Sequence, residues 1–402
     1  MEQTKPLLTR NALLLLVGSF LFFGTQSLLL PTFPLYIATM GGDERAVGLL
    51  AGLFALAAVC QRPFFSRLAG RKGCKMVLLI AAFAATTGPL LYPFCRNFLC
   101  MATARVYHAS SLAGFITASQ TMLADLSQPG NRGKMFGYYG VASGSAMAIA
   151  PAIGVKIAGG VGYQGLFLVS AFLGGAIIAI SLFIADAPTE VREAVATPAS
   201  VSETIRNRWV TVPSAALFCL TMAFGAITAF VPLHSAETGI GSSGAYFAVL
   251  SAASMIGRLV SGGLSDRYGR REVAAPALLC SAAGVGLLTT ATGPAMLVAS
   301  ATLFGLGFAT AHTALLALVA DKTTVRERSQ AVSFYANAFD VGTAAGSIGL
   351  GALARHSYSA VYGILTACVF TGFGLIARVL PGTGSRGPQD VSRPQGPPEA
   401  IA

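Results

Sequence analysis

The chain reads as an all-α membrane protein with twelve transmembrane helices in two pseudo-symmetric six-helix bundles. Three observations point there. First, 54% of its 402 residues are hydrophobic and only 11% are charged, against roughly 25% charged in soluble domains. Second, the apolar residues gather in uncharged runs such as 11–40, 76–95, 157–185 and 209–236, and about 20 such residues suffice to cross a bilayer as a helix. Third, the stretch 262–271, Gly-Gly-Leu-Ser-Asp-Arg-Tyr-Gly-Arg-Arg, has a counterpart 196 residues earlier, at 66–75, reading Ser-Arg-Leu-Ala-Gly-Arg-Lys-Gly-Cys-Lys.

The 196-residue offset holds along the chain. It pairs Arg62 with Arg258, Gly48 with Gly244, Ala124-Asp125 with Ala320-Asp321, Arg132 with Arg328 and Tyr139 with Tyr335. Self-similarity at one fixed period is the mark of a duplicated architecture. The repeated stretch is short and lies between apolar segments, so it is expected to be a tight turn, with glycine supplying close approach and positive φ. Asp266 is placed there to cap a helix or pair with an arginine.

Taken in order, the spans fall at about 12–40, 46–66, 76–95, 97–124, 134–158 and 162–185 in the first half. The second half places them at 209–234, 243–263, 273–292, 295–320, 329–354 and 357–380. Thr292-Gly293-Pro294 divides a run too long for one crossing, and Gly159-Gly160 divides spans five and six. The organisation is thus a first bundle over 1–185, a linker over 186–208 with Pro188 and Pro198, a second bundle over 209–380, and a disordered tail over 381–402.

Charge sets the orientation. With the amino terminus inside, inner segments hold 20 Lys and Arg, whereas the outer loops and adjoining helix ends hold only Arg45, Arg96, Lys156 and Arg355. Basic residues favour the cytoplasmic side, so both termini are expected in the cytoplasm. The net charge of +11 is accounted for in this way and calls for no nucleic-acid partner. The first apolar segment is too long for a secretion signal, and Pro31 and Pro34 lie within it. The seven cysteines show no metal-ligand spacing. Neither a phosphate loop nor a nucleophile–histidine–acid set is present. No enzyme activity, cofactor or metal is therefore expected, and the available chemistry is binding, protonation and conformational change.

Over nearly all of residues 10–380 the sequence resembles the major facilitator superfamily. Asp266, Arg267, Gly269 and Arg270 fall on marked positions of its signature loop, and Arg71 and Gly73 match in the first half. Gly70 departs from the pattern, standing where the family usually has an acid. Span five carries Gly137, Gly140, Gly144, Ala150-Pro151 and Gly154, similar to the glycine–proline signature of drug–proton antiporters, with Ala150 replacing a glycine. Arg105, near the start of span four, also matches that branch. The resemblance implies the major facilitator fold and a proton-coupled exporter in a plasma membrane, a bacterial inner membrane being expected. Ordinary close packing of small residues is the alternative for span five.

Polar residues within spans are the site candidates, because charge in a bilayer is costly. Asp340 is the sole acid inside any span, about 17 Å past Ser329 at 1.5 Å per residue, and Asn337 shares its face. A low-dielectric surrounding disfavours a carboxyl's charged form, the property a proton carrier needs; pairing with an arginine or a helix terminus is the alternative. Arg105 remains charged and must be paired or hydrated, either by an anionic substrate or by an acid whose proton it modulates. Gln26, His108, Tyr335 and Asn337 join it as candidate substrate contacts, with packing as the alternative for each. Arg62 and Arg258, near the inner ends of their spans, are placed to snorkel or to pair with loop acids.

The function expected is alternating-access export of a small organic molecule against protons, by a monomer. Import or facilitation of a polar nutrient such as a sugar or organic anion is the other transport reading. A non-transporting receptor or scaffold has less support, since no soluble domain is evident.

Overall fold

The computed structural model describes residues 9–127, 132–185 and 206–379, and among them every regular element is helical. The first span is two helices, α1 (Arg10–Leu29) and α2 (Thr32–Thr39), divided at Pro31. There follow α3 (Glu44–Lys72), α4 (Cys74–Leu91), α5 (Phe98–Leu126) and α6 (Arg132–Phe183). The second half contains α7 (Arg208–Thr238), α8 (Ser243–Tyr268), α9 (Arg270–Leu287), α10 (Pro294–Asp321), α11 (Val325–Ala354) and α12 (Tyr358–Val379). Short polar caps start these apolar helices. The side chains of Thr9, Asp43, Asn97, Asn207, Ser242 and Thr324 accept backbone N–H groups of the first turn, which has no carbonyl partner of its own.

Nine helices or helix pairs among the described residues are long and apolar enough to cross a membrane, and the one at Met135–Phe183 has length for two crossings. The polar-bearing helices α5 and α11 fall outside that set. Twelve crossings are consistent with this arrangement. The break between spans five and six lies at Gly162 (φ +76°, ψ 174°), not at Gly159-Gly160, which stay helical. The expected linker over 186–208 lies outside the described residues up to 205, and the tail over 381–402 lies wholly outside them.

The repeated signature is also not the loop that its glycines suggest. Helix α8 runs through Gly262 and Gly263 to Tyr268, and α9 begins at Arg270, so Gly269 alone makes the turn. It has φ +103° and ψ 147°; its counterpart Gly73 has φ +89° and ψ 158°. This is backbone that L side chains avoid, at a cost of about 1–3 kcal/mol. Gly269→Ala is therefore expected to lower the thermal midpoint in detergent. Gly70→Asp, which meets nothing within 4 Å inside helical α3, should leave it unchanged.

Helices α1 to α6 pack among themselves, as do α7 to α12, and the two sets meet along α3 with α11 and α6 with α8. Helix α11 shows why. One face carries Gly342 and Gly346, where an added Cβ would lie 2.1 Å from Thr221 Oγ1 and 1.9 Å from the Met222 carbonyl of α7. On α7, Gly225 likewise faces the Thr343 carbonyl at 2.0 Å. The other face carries Asp340, Ser347, Ile348 and Gly351, and meets Arg62, Gly48, Gly52 and Arg45 of α3.

The two sets close at the end away from Gly73 and Gly269. There Arg355 pairs with Asp43 at 3.7 Å, and the Tyr358 hydroxyl reaches Glu44 at 3.1 Å and Glu237 at 2.9 Å. Gly244 of α8 comes within 2.9 Å of Val155 of α6, measured from an added Cβ. Toward the basic end the sets part, leaving Cys60, Pro63, Phe64 and Ser66 of α3 and Ala336 and Asn337 of α11 exposed.

Candidate functional site

Asp340 forms an ion pair with Arg62, 278 residues away, joining α11 to α3 across the two halves. The pair lies where the halves begin to part. On its far side Gly52 packs against Ile348, and on its near side Asn337 is exposed. Arg62 retains 25% of its side-chain exposure and Asp340 11%, so water reaches the pair from the basic end. Arg62, expected to snorkel or to pair with loop acids, finds the intramembrane acid instead.

Among the described residues Arg105 meets no acid. Its guanidinium is sandwiched between the Phe33 and Phe54 rings, 4.2 and 4.1 Å from their centroids. It donates to the Leu50 carbonyl at 3.4 Å and the Tyr92 hydroxyl at 3.3 Å. Desolvated cation–π contacts are worth about 2 kcal/mol or more, which explains how the charge is held without a carboxylate. Neither phenylalanine carries a sequence signal of this role, because only folding sets which way a ring face turns.

Two of the other candidates, His108 and Gln26, belong to this first-half cluster. Tyr92 Oη and His108 Nδ1 are 2.6 Å apart, and both residues are fully buried. Gln26 donates to Ser111 at 2.9 Å, and Ser111 in turn to the His108 carbonyl at 2.7 Å. Gln26 thus commits its amide nitrogen to a bond within the first half and remains half-buried. Tyr335 is also buried, donating to the His312 carbonyl at 2.9 Å. Only Asn337 of the proposed substrate contacts is exposed beside the Asp340 pair.

At the basic end Arg270 gathers the signature residues. It pairs with Asp266 at 2.6 Å and Asp321 at 3.0 Å, and donates to Ser265 at 2.5 Å. Arg267 lies 5.3 Å from the ring centroid of Tyr268. In the first half both members of the Asp266–Arg270 pair are replaced, by Gly70 and Cys74, so the departure at Gly70 belongs to a joint change. What both halves keep is a basic residue on the last carbonyls of their final span. Lys75 donates to Leu182 at 2.7 Å, and Arg271 to Ile376 at 3.2 Å and Ala377 at 2.5 Å. These carbonyls lack helical partners. Since Asp266 is 65% exposed, its pair is worth at most about 1 kcal/mol. Asp266→Ala should therefore fold normally and slow transport, and Arg270→Ala, which removes three contacts, should slow it more. Initial transport rates at matched protein amounts provide the check.

The span-five glycines differ in use. An added Cβ at Gly154 would lie 2.3 Å from the Leu28 carbonyl, and one at Gly144 at 3.7 Å from Met255; Gly137 and Gly140 face open space. Close packing thus explains Gly154, near the buried Ala150-Pro151 step, and does not explain the other three.

The profile of the Major Facilitator Superfamily matches residues 15–271 and 243–402. Quinolone resistance protein NorA of Staphylococcus aureus (strain MRSA252) is 25% identical over 232 residues, 58% of this chain and 59% of that protein. The chain thus spans less than two thirds of that relative's length. Multidrug resistance protein MdtG of Proteus mirabilis (strain HI4320) is 25% identical over 283 residues, 66% and 69% of the two chains. In fold, the chain is similar to nucleoside transporter NupG, with a TM-score of 0.71 at 17% identity over 92% of this chain and 99% of that one. It is also similar to a bacterial homologue of the lysosomal transporter Spinster in an inward-facing, unoccupied conformation. That TM-score is 0.72 at 15% identity, over 95% of this chain and 100% of that one.

Proposed function

The chain belongs to the Major Facilitator Superfamily, and from that premise we propose that this multi-pass membrane transporter is a proton-coupled exporter of small organic molecules. The observation that carries the reading is the Arg62–Asp340 pair, an intramembrane acid bound across the two halves. A proton on Asp340 removes the charge that holds Arg62. Protonation then weakens a bond between α3 and α11 at the place where the halves part, and biases one access state over the other. Rocking of residues 1–185 against 209–380 about this line provides alternating access. The resistance proteins among the relatives favour export. The excess of Lys and Arg at the Gly73 and Gly269 end supports placing that end, and both termini, in the cytoplasm of a bacterial inner membrane. In that orientation the opening beside Asn337 faces the cytoplasm, where an exporter loads.

The test is reconstitution into proteoliposomes with an imposed pH gradient and a panel of aromatic cations, anions and neutral compounds. Accumulation that follows the gradient and collapses with a protonophore is the expected result. Equilibration alone, indifferent to pH, would make the protein a facilitator.

A further inference from the structure

The 196-residue repeat relates the two largest contacts between halves, α3 with α11 and α8 with α6. Gly48 of α3 packs on Ser347 of α11, and its counterpart Gly244 of α8 packs on Ala152 and Val155 of α6. In the first contact Arg62 finds Asp340. In the second, Arg258 takes the place of Arg62, but the residue 196 positions before Asp340 is Gly144. The basic residue is retained and its acid is missing.

The surroundings of Arg258 agree. It lies eleven residues from the turn at Gly269, about 16 Å along the helix, and so is well inside the span. It shares a helix face with Ser251, Ser254, Ser261 and Ser265, all buried, and two of these bond to α10, at Gly305 and Thr310. Yet Arg258 itself is solvent-accessible, so it opens into a space within the bundle. Among the described residues it makes no hydrogen bond or ion pair. The described acids offer it nothing: Asp340 is taken by Arg62, and the others sit in loops or terminal turns. An unpaired cation at this depth is costly and marks a site.

Its aromatic neighbour His312 belongs to a larger cluster of rings. His312 of α10 is within electrostatic reach of Arg258. Its ring stacks on Phe308 at 6.3 Å and lies 5.8 Å from Phe339, and Phe224 stacks on Phe308 at 5.1 Å. Across the contact, an added Cβ at Gly144, the Asp340-equivalent position, would meet Met255 at ordinary contact distance only. We infer that Arg258 is the anion-binding element of the substrate site, and that it takes the carboxylate of a flat aromatic molecule in place of the missing acid. The inference rests on the transporter reading and specifies its substrate class.

The test uses purified protein with naphthoate and its neutral analogue naphthamide, with affinities measured by calorimetry. Wild type should bind the carboxylate at least about tenfold more tightly than the amide, and Arg258→Gln should erase that ratio while keeping the thermal midpoint. Gly144→Asp, whose Cβ would meet only Met255 at ordinary contact distance and which supplies the acid internally, should also lose naphthoate binding and retain naphthamide binding. Equal affinities in wild type, no naphthoate binding, or a ratio that survives in Arg258→Gln would overturn the assignment. Proteoliposome transport separates this from the proposed function. Naphthoate bound by Arg258 but unmoved by a pH gradient defeats proton-coupled export alone. Gradient-driven transport of other compounds, without the carboxylate preference, defeats the anion site alone.

Discussion

Asp340→Asn is expected to abolish gradient-driven accumulation while leaving substrate exchange across proteoliposomes intact. The amide keeps the shape and hydrogen-bonding capacity of the protonated carboxyl but can neither release a proton nor pair ionically with Arg62. The pH dependence of substrate binding should flatten with it. Removing one partner of a buried pair costs about 3–5 kcal/mol, an upper bound here because Arg62 is partly hydrated. The double variant Arg62→Gln with Asp340→Asn removes the orphaned charge. It should regain the thermal midpoint without regaining accumulation, which separates a folding defect from lost coupling. Undiminished accumulation in Asp340→Asn would rule the residue out as the proton site and leave the ion pair a structural tie between halves.

Gly346→Ala should produce the largest loss of stability of any single methyl added to this chain's second half. Its Cβ would sit 1.9 Å from the Met222 carbonyl, and a backbone oxygen within a helix cannot swing aside as a side-chain tip can. Helices α7 and α11 must separate, and the neighbouring contacts at Gly342 and Gly225 loosen with them. Overpacking of this kind costs about 1–3 kcal/mol, and Gly346→Val should fail to give folded protein. Three residues on, Gly349 faces nothing within 4 Å. Gly349→Ala should raise the thermal midpoint slightly, as alanine is favoured over glycine in a helix by about 1 kcal/mol. Opposite signs for two identical changes on one helix test the α7–α11 packing directly; a melting point for Gly346→Ala at or above wild type would show that packing to be wrong.

The sequence by itself determined the class, the placement of the apolar spans, the duplication and the family resemblance. The reason is physical: a bilayer selects for apolar length along the chain, and a turn such as Gly73 or Gly269 is specified by its own residue. Even Asp340 could be singled out, since an acid between uncharged runs is visible in one dimension. Tertiary structure decided the partners. Whether Asp340 met a helix end, a loop arginine or Arg62 depended on which helix lies opposite the face that Gly342 and Gly346 leave free. Arg105, read as awaiting an acid or a substrate, is held by Phe33 and Phe54, whose rings are ordinary apolar residues until folding turns their faces to a guanidinium. The unequal fates of Arg62 and Arg258 follow from the same cause. The repeat makes the two arginines alike in sequence, and only the helix packed across from each, with Asp340 on one and Gly144 on the other, leaves one paired and the other without a bond among the described residues.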